Sequence, residues 1–319
     1  MRRKARLSQP GACCVCAVLA LAGPPVQAAE APQAQVYGLV DLAVEYVDAR
    51  PVDSVWGMAH RWGASRLGLR LSEALPEAGV VINSRIEHRF SADTGMQVDP
   101  TRFWNGQSWL EARGRYGALR LGRDYTPVEQ ALGWSDLGDQ GFYVDNIPMG
   151  TATRADALLQ YQSPNTGPAR VMLAVQATGS GPVRSLRSGA LVLGSEAAVV
   201  YVAAQRMTKD TGPQDDAAIG ASVQSGAWGL GLTWASVEST ALGTHLRMWN
   251  INGRYNAPAT QWLLALRRDT QAGQAAINSY GVATSWALSP RSFIYLAAGH
   301  ARSERLSQSR IALGIRQLF

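Results

Sequence analysis

Cysteine, lysine, histidine and long apolar runs are all scarce in this chain, and each scarcity excludes something. The 319 residues hold three cysteines, Cys13, Cys14 and Cys16. All three fall in an amino-terminal stretch with the marks of a cleaved secretory signal. Arg2, Arg3, Lys4 and Arg6 are followed by the apolar run Ala12 to Gly23 and by the small-residue cleavage site Val26-Gln27-Ala28. The expected organisation is a signal peptide over 1–28 and one mature domain over 29–319. That domain has no cysteine, which excludes disulfides and a thiol nucleophile together. Acylation of a cysteine is disfavoured, because Leu19 to Leu21 continue the apolar run past all three. The longest apolar run of the mature chain, Ala197 to Ala204, is far short of the ~20 residues a membrane helix needs.

Removing 1–28 lowers Lys+Arg from 30 to 26 against 24 Asp+Glu, so the net charge falls from +6 to +2. Nucleic acid therefore loses its main support as a partner. Lys209 is the only lysine left among those 26 basic residues. Arginine keeps its charge in any surroundings and forms directional hydrogen bonds, which suits a wall of fixed positive charge. The four histidines, His60, His88, His245 and His300, show no paired-ligand spacing, and neither HExxH nor GxSxG occurs. No cofactor or metal is indicated. The enzyme reading left open is a lipase whose Ser and His meet only in the fold.

What is present is period-two alternation. Val40, Leu42, Val44 and Tyr46 alternate with polar or small residues, as do Leu67, Leu69 and Leu71. Trp228, Leu230, Leu232 and Trp234 repeat the pattern, and Ile311, Leu313 and Ile315 close it. Short breaks such as Ser225-Gly226 and Ser289-Pro290-Arg291 alternate with longer polar ones, among them Ser91 to Arg102 and Thr208 to Asp216. The segments number about sixteen, and an even count with unequal ends is the pattern of a transmembrane barrel. A secreted sandwich or propeller also alternates. Here, however, the polar face is Gly, Ser, Ala and Arg, and the aliphatic face ends in Trp or Tyr, as bilayer interfaces favour. The expected fold is all-β: a sixteen-stranded antiparallel transmembrane β-barrel.

One stretch breaks the alternation. Roughly thirty residues from Arg123 to Arg154 show neither strand nor helix periodicity, too long for an idle loop in a compact protein. The segment carries Glu129, Asp136, Asp139 and Asp145. It is expected to fold into the barrel and narrow it; the alternative is a mobile surface loop.

Several segments together resemble the general porins of Gram-negative bacteria. Val36-Tyr37-Gly38-Leu39-Val40-Asp41 resembles the family's first strand, and Ser65-Arg66-Leu67-Gly68 its second. Trp104 to Glu111 and Leu121 to Pro127 resemble the strands leading to the constriction loop. Tyr161 to Asn165 resembles the strand and turn after that loop, and Phe319 the terminal aromatic. The resemblance implies a homotrimer in outer-membrane lipid, each subunit with its own water-filled pore for small hydrophilic solutes and ions. The third loop would fold inward against basic wall residues, and Phe319 would be the signal read by the barrel-assembly machinery. By position it implies Arg66 and Arg154 at the constriction, with Arg70, Arg85 and Arg89 on the same polar faces and Glu129, Asp136 and Asp139 as the loop's acids. A family arginine is replaced by Gly106 here, leaving Arg85, Arg89 or Arg102 to stand in for it. Arginine outnumbers acid on these faces, so a mild anion preference is expected. Two other functions fit the same residues: a substrate-specific channel, and a barrel with a mainly adhesive or structural role.

Overall fold

The structure, a computed structural model, describes residues 32–50, 53–138, 144, 147–176, 183–239, 243–305 and 307–319. The expected signal peptide lies outside them. Among the described residues, seventeen strand segments form a single sheet. In chain order they are β1 (Gln33–Arg50), β2 (Val55–Ala59), β3 (Ser65–Leu75), β4 (Val80–Phe90), β5 (Ser108–Gly114), β6 (Gly117–Tyr125), β7 (Arg154–Gln162), β8 (Ala169–Gln176) and β9 (Val183–Gly194). They continue as β10 (Ala198–Lys209), β11 (Gly212–Ser225), β12 (Trp228–Ser239), β13 (Thr244–Asn256), β14 (Thr260–Gln271), β15 (Ile277–Ser289), β16 (Ser292–Arg302) and β17 (Ser307–Leu318). From β3 onward each segment pairs antiparallel with the next. β17 then pairs back onto β1, from Leu39↔Leu318 to Arg50↔Ser307. The sheet closes, so its backbone groups are satisfied without water and it has no open edge.

Seventeen segments make sixteen barrel positions. On its other side β1 pairs first with β3, from Gln33↔Ser72 to Leu39↔Arg66, and then with β2, from Ala43↔Ala59 to Val47↔Val55. β2 and β3 are thus one barrel strand interrupted at 60–64. The interruption has a cause in Asp41. Its carboxylate accepts hydrogen bonds from the backbone N–H of Arg61 and Trp62, both at 3.1 Å, and from the Tyr295 hydroxyl at 2.7 Å. This draws the Trp62 ring inward against Tyr295.

Burial is inverted relative to a water-soluble sheet. Leu230, Leu232, Ile311, Leu313 and Ile315 are exposed on the outer surface, whereas Ala235 and Ala312 are buried inside. A continuous exposed aliphatic surface is stable only in an apolar solvent. No helix among the described residues is long and apolar enough to cross a membrane. Trp228 packs on Tyr255 with ring centroids 4.4 Å apart, and Trp234 lies 6.5 Å from Trp249 farther along the same strands. These are the two interfacial levels expected of a girdle. Trp62, Trp109 and Trp134 depart from that expectation and point inward.

Two segment readings need correction. Thr208 to Asp216 is not a long break: β10 runs to Lys209, β11 starts at Gly212, and the turn is 210–211. The polarity there marks the interior wall, where the Gln205 and Gln214 amides each donate to Asp216 at 2.7 Å. Trp104 to Gln107 is not strand either, since β5 begins at Ser108.

Three tyrosines lie flat over the glycine directly across from them: Tyr37 over Gly68, Tyr201 over Gly220 and Tyr295 over Gly314. A glycine leaves a backbone strip bare, and the ring covers it. A Cβ on Gly220 would sit 2.4 Å from the Tyr201 hydroxyl and 2.7 Å from the Leu232 carbonyl oxygen. Gly220→Ala is therefore expected to destabilise the barrel by about 1–3 kcal/mol, read as an earlier urea midpoint of tryptophan fluorescence in detergent. An unchanged midpoint would show that Tyr201 relocates freely. Gly38 makes a related contact at the seam. Gly38 and Phe319 exchange backbone hydrogen bonds of 3.0 and 3.2 Å, and the Phe319 ring fills the space above Gly38.

Candidate functional site

The segment after Tyr125 enters the barrel. The Thr126 hydroxyl caps a short helix by accepting from the Glu129 N–H, and Pro127 takes the first helical position, where its missing N–H costs nothing. In this helix, α1 (Pro127–Leu132), the side chains of Val128, Ala131 and Leu132 are buried against Met172, Val192, Tyr201 and Met248 of the inner wall. Ser135 then hydrogen bonds to the hydroxyls of Tyr201 and Thr233 at 2.7 and 2.6 Å. The Asn252 amide donates to the Ser135 carbonyl and accepts from the Leu137 N–H. Val144 reaches the Trp62–Tyr295 cluster on β1 and β14–β17. The return limb is fixed where the Gly150 carbonyl accepts from Lys209 Nζ at 2.9 Å and from the Gln214 amide at 3.0 Å. The loop is fastened to the interior, as the barrel reading expected and the surface-loop alternative did not.

The wall made by β1–β6 is left facing the opening, and it is rich in arginine. Arg66, Arg70, Arg85, Arg89 and Arg120 line a cavity of about 440 Å³ together with Tyr37, Tyr125 and Gln130 of α1. Arg66 stands opposite Arg89, and Arg70 opposite Arg85. Like charges so placed repel, and Glu87 offsets this. It stands across from Gly68 and is fully buried. Its carboxylate accepts from Arg85 and Arg89, each at 2.8 Å, and from the Tyr37 hydroxyl at 3.0 Å. Arg70 has no carboxylate partner among the described residues; its guanidinium lies 4.2 Å from the Tyr37 ring centre. Arg120 stacks on Trp109 at 3.9 Å and pairs with Glu111 at 2.6 Å and with Asp124. Among the described residues, five arginines thus face three carboxylates, Glu87, Glu111 and Asp124, and that surplus is positive.

Not every residue expected here meets the cavity. Arg154 packs 4.1 Å from the Tyr125 ring and donates to its hydroxyl, which also accepts from Arg89 at 2.6 Å. It braces the root of the loop. Glu129 is buried at the same root and interacts with Arg154. Asp136 accepts from the Gly138 N–H at 3.0 Å, beside the wall that holds Ser135. Neither acid lines the arginine cavity, and Asp139 lies outside the described residues. A Cβ at Gly106 would meet the Glu87 side chain at 2.6 Å and its carbonyl oxygen at 2.9 Å, so the site has no room for an arginine. Arg85 and Arg89 flank that spot. Arg102 instead turns to Asp99 at 3.0 Å and Asp156 at 2.6 Å. The Thr101 hydroxyl donates to Asp99 and holds its carboxyl below the usual carboxylate range, which keeps that loop pair charged.

Tyr37, Tyr125, Trp109, Arg120 and Asp124 were missed as site residues. Extending the alternation through β5 and β6 would have placed the last three on the inner face. The stacking of arginine on tyrosine is a cross-strand contact with no signature along the chain. A left-handed Ala157 (φ 49°) next to Asp156 marks an irregular register between β6 and β7. The same irregularity lets Asp156 accept from Arg123 at 2.7 Å as well as from Arg102.

Comparison with known proteins gives the same picture. A family model described as Gram-negative porin matches residues 15–306. No curated protein matches the chain in sequence. Among solved structures, the anion-selective porin from Comamonas acidovorans superposes with a TM-score of 0.78 at 20% identity, covering 90% of this chain and 100% of that one. OmpT expressed in the outer membrane of Vibrio cholerae gives 0.68 at 12% identity, with 92% and 100% covered. OmpF of Salmonella typhi in complex with daunomycin gives 0.69 at 12% identity, with 90% and 97% covered.

Proposed function

The chain belongs to the Gram-negative porin family, and on that premise we propose that its channel passes small hydrophilic solutes with a mild preference for anions. It is an outer-membrane protein, and its barrel is a passive diffusion pore. The observation that carries the preference is the arginine wall, where five guanidinium groups outnumber the carboxylates among the described residues beside the opening that the inserted loop leaves. The Comamonas protein named as anion-selective shares this fold, which supports the reading. Refolded protein in planar bilayers is expected to give ohmic steps with a reversal potential of the anion-selective sign. Steps in groups of three would support a homotrimer. A cation-selective wild type would overturn the preference.

Residues 1–28 act, on this reading, as a cleaved export signal, and the mature barrel spans 29–319. Phe319, half exposed at the barrel seam, presents its ring to the assembly machinery. A channel fits better than an enzyme. His300 Nδ1 and Ser309 Oγ are 2.9 Å apart on the outer surface, but Asp48 stands across from Ser309 and not from His300. The order acid–imidazole–hydroxyl that activates a serine is not formed by this row. Hydrolysis of a chromogenic ester, lost in Ser309→Ala, would reverse this conclusion. A saturable block of conductance by one solute class would favour the substrate-specific reading, and a sealed lumen the structural one.

A further inference from the structure

Trp134 points into the barrel, where no girdle role accounts for it, and the Arg170 guanidinium lies 4.4 Å from its ring centre. The two side chains line a second cavity, of about 500 Å³, together with Gln130, Gln162, Ser163 and Asn165. This cavity lies between α1 and the inner wall of β7–β9, beside the short turn 163–168. Along β8, Arg170 stands closer to that turn than Ala174, which shares the inner-face row of Arg120 and Gln160. Gln130 lines this cavity and the arginine cavity alike, so the two adjoin at its side chain.

The chemistry of the second cavity differs from that of the first. Among the described residues, Arg170 is the one cation that lines it, and no carboxylate does. Arg113 and Arg120 nearby both give their N–H groups to Glu111. Arg170 gives its own to no protein acceptor among the described residues; the Trp134 ring holds it instead. A guanidinium held through its face keeps its N–H groups, which lie in its plane, available for a planar acceptor such as a carboxylate. Around it are groups that both donate and accept. The Ser163 hydroxyl accepts from the Val171 N–H at 2.9 Å and keeps its own hydrogen. Gln162 donates to Gln130 at 3.0 Å, and Gln130 to the Tyr125 carbonyl at 2.9 Å, each through one of two amide hydrogens. Asn165 is exposed at the turn, with its amide unengaged among the described residues. Amide and hydroxyl groups of this kind match the mixed donor and acceptor character of ligand hydroxyls.

We propose that this cavity binds a hydroxylated monocarboxylate, that is, a sugar acid. The carboxylate pairs with Arg170 on its indole support, and the hydroxyl groups are held by Ser163, Asn165 and the spare amide hydrogens of Gln130 and Gln162. One cation without a counter-charge matches one negative charge. A dianion is only half compensated here, and a neutral sugar leaves the guanidinium without an acceptor. The inference rests on the diffusion-channel reading above and names a solute class for it.

The test is equilibrium binding of gluconate to the full mature barrel in detergent micelles, with glucose and benzoate for comparison. Gluconate is expected to saturate one site per chain and to bind about tenfold tighter than glucose, which lacks the carboxylate, and than benzoate, which lacks the hydroxyls. Arg170→Gln should weaken gluconate about tenfold, the loss of one charge-assisted pair. Asn165→Ala should weaken gluconate about threefold and leave benzoate unchanged, since the amide serves the hydroxyls. Wild-type conductance in KCl and an unshifted urea midpoint show that each variant is folded. Benzoate bound as tightly as gluconate would overturn the sugar-acid class, and glucose bound as tightly would remove Arg170 from recognition. Gluconate lost in Arg66→Ala with Arg70→Ala, but kept in Arg170→Gln, would place binding at the arginine wall and overturn the proposal. Binding in micelles involves no ion flow. A cation-selective reversal potential would therefore refute the channel's anion preference and leave this site standing, whereas an anion-selective channel that binds no gluconate would refute the site alone.

Discussion

Arg66→Glu together with Arg70→Glu is expected to convert the proposed anion preference into a cation preference. At an effective permittivity of about 40, a unit charge about 8 Å from a permeating ion is worth about 1 kcal/mol. Reversing a charge counts twice, so two reversals exceed a tenfold change in the permeability ratio. Arg70 is the stronger choice, because its positive charge rests on the Tyr37 ring with no carboxylate partner among the described residues. Arg66 lines the same cavity. The measurement is the reversal potential across a KCl gradient kept at or below about 0.1 M, where the Debye length is about 10 Å. At about 1 M that length shrinks to ~3 Å, and wild type and variant should converge. A double variant that remained anion-selective at low salt would show that the preference does not arise from this wall. Arg154→Ala should leave the low-salt selectivity nearly unchanged, since Arg154 braces Tyr125 and does not line the cavity.

That contrast between Arg66 and Arg154 shows what can be read along the chain and what cannot. Strand identity and inward or outward facing follow from period two, so Arg66, Arg70, Arg85 and Arg89 could be assigned to the polar face from order alone. The girdle tryptophans of β12, Trp228 and Trp234, were legible for the same reason. Depth and partner were not. Whether an inward arginine ends in the opening or against a neighbouring ring depends on cross-strand register, and register is fixed by closure of the whole barrel. Asp41, read as one polar position in an alternating strand, turns out to hold Trp62 and Tyr295 and to interrupt the second strand. The family resemblance implied that the acids of the inserted loop face the wall. Glu129 instead follows the cap and first turn of α1, which bury it beside Arg154. The missing arginine at Gly106 looked like a lost charge, whereas the space is taken by Glu87, the residue that holds two other arginines in place.

Glu87 is therefore where stability and selectivity should separate. Glu87→Ala removes the acceptor shared by Arg85, Arg89 and the Tyr37 hydroxyl. Two guanidinium groups, mostly withdrawn from solvent, are left facing each other without a counter-charge. Breaking a buried pair from one side costs about 3–5 kcal/mol, so the urea midpoint of the folded barrel should fall more than for any other single change at the wall. The pore field should move the opposite way. Deleting one negative charge raises the positive surplus by one, and those channels that remain folded should be more anion-selective than wild type at low salt. Glu87→Gln distinguishes the two contributions. It keeps the shape and part of the hydrogen bonding but not the charge, so it should lose less stability, about 1–3 kcal/mol, and gain a similar anion preference. If both variants unfolded at the wild-type midpoint, Glu87 would not be the residue that holds the arginine wall together. If Glu87→Gln were stable yet unchanged in selectivity, the wall would be too well screened for single charges to govern the pore, and the reversal predicted for Arg66 and Arg70 should then fail as well.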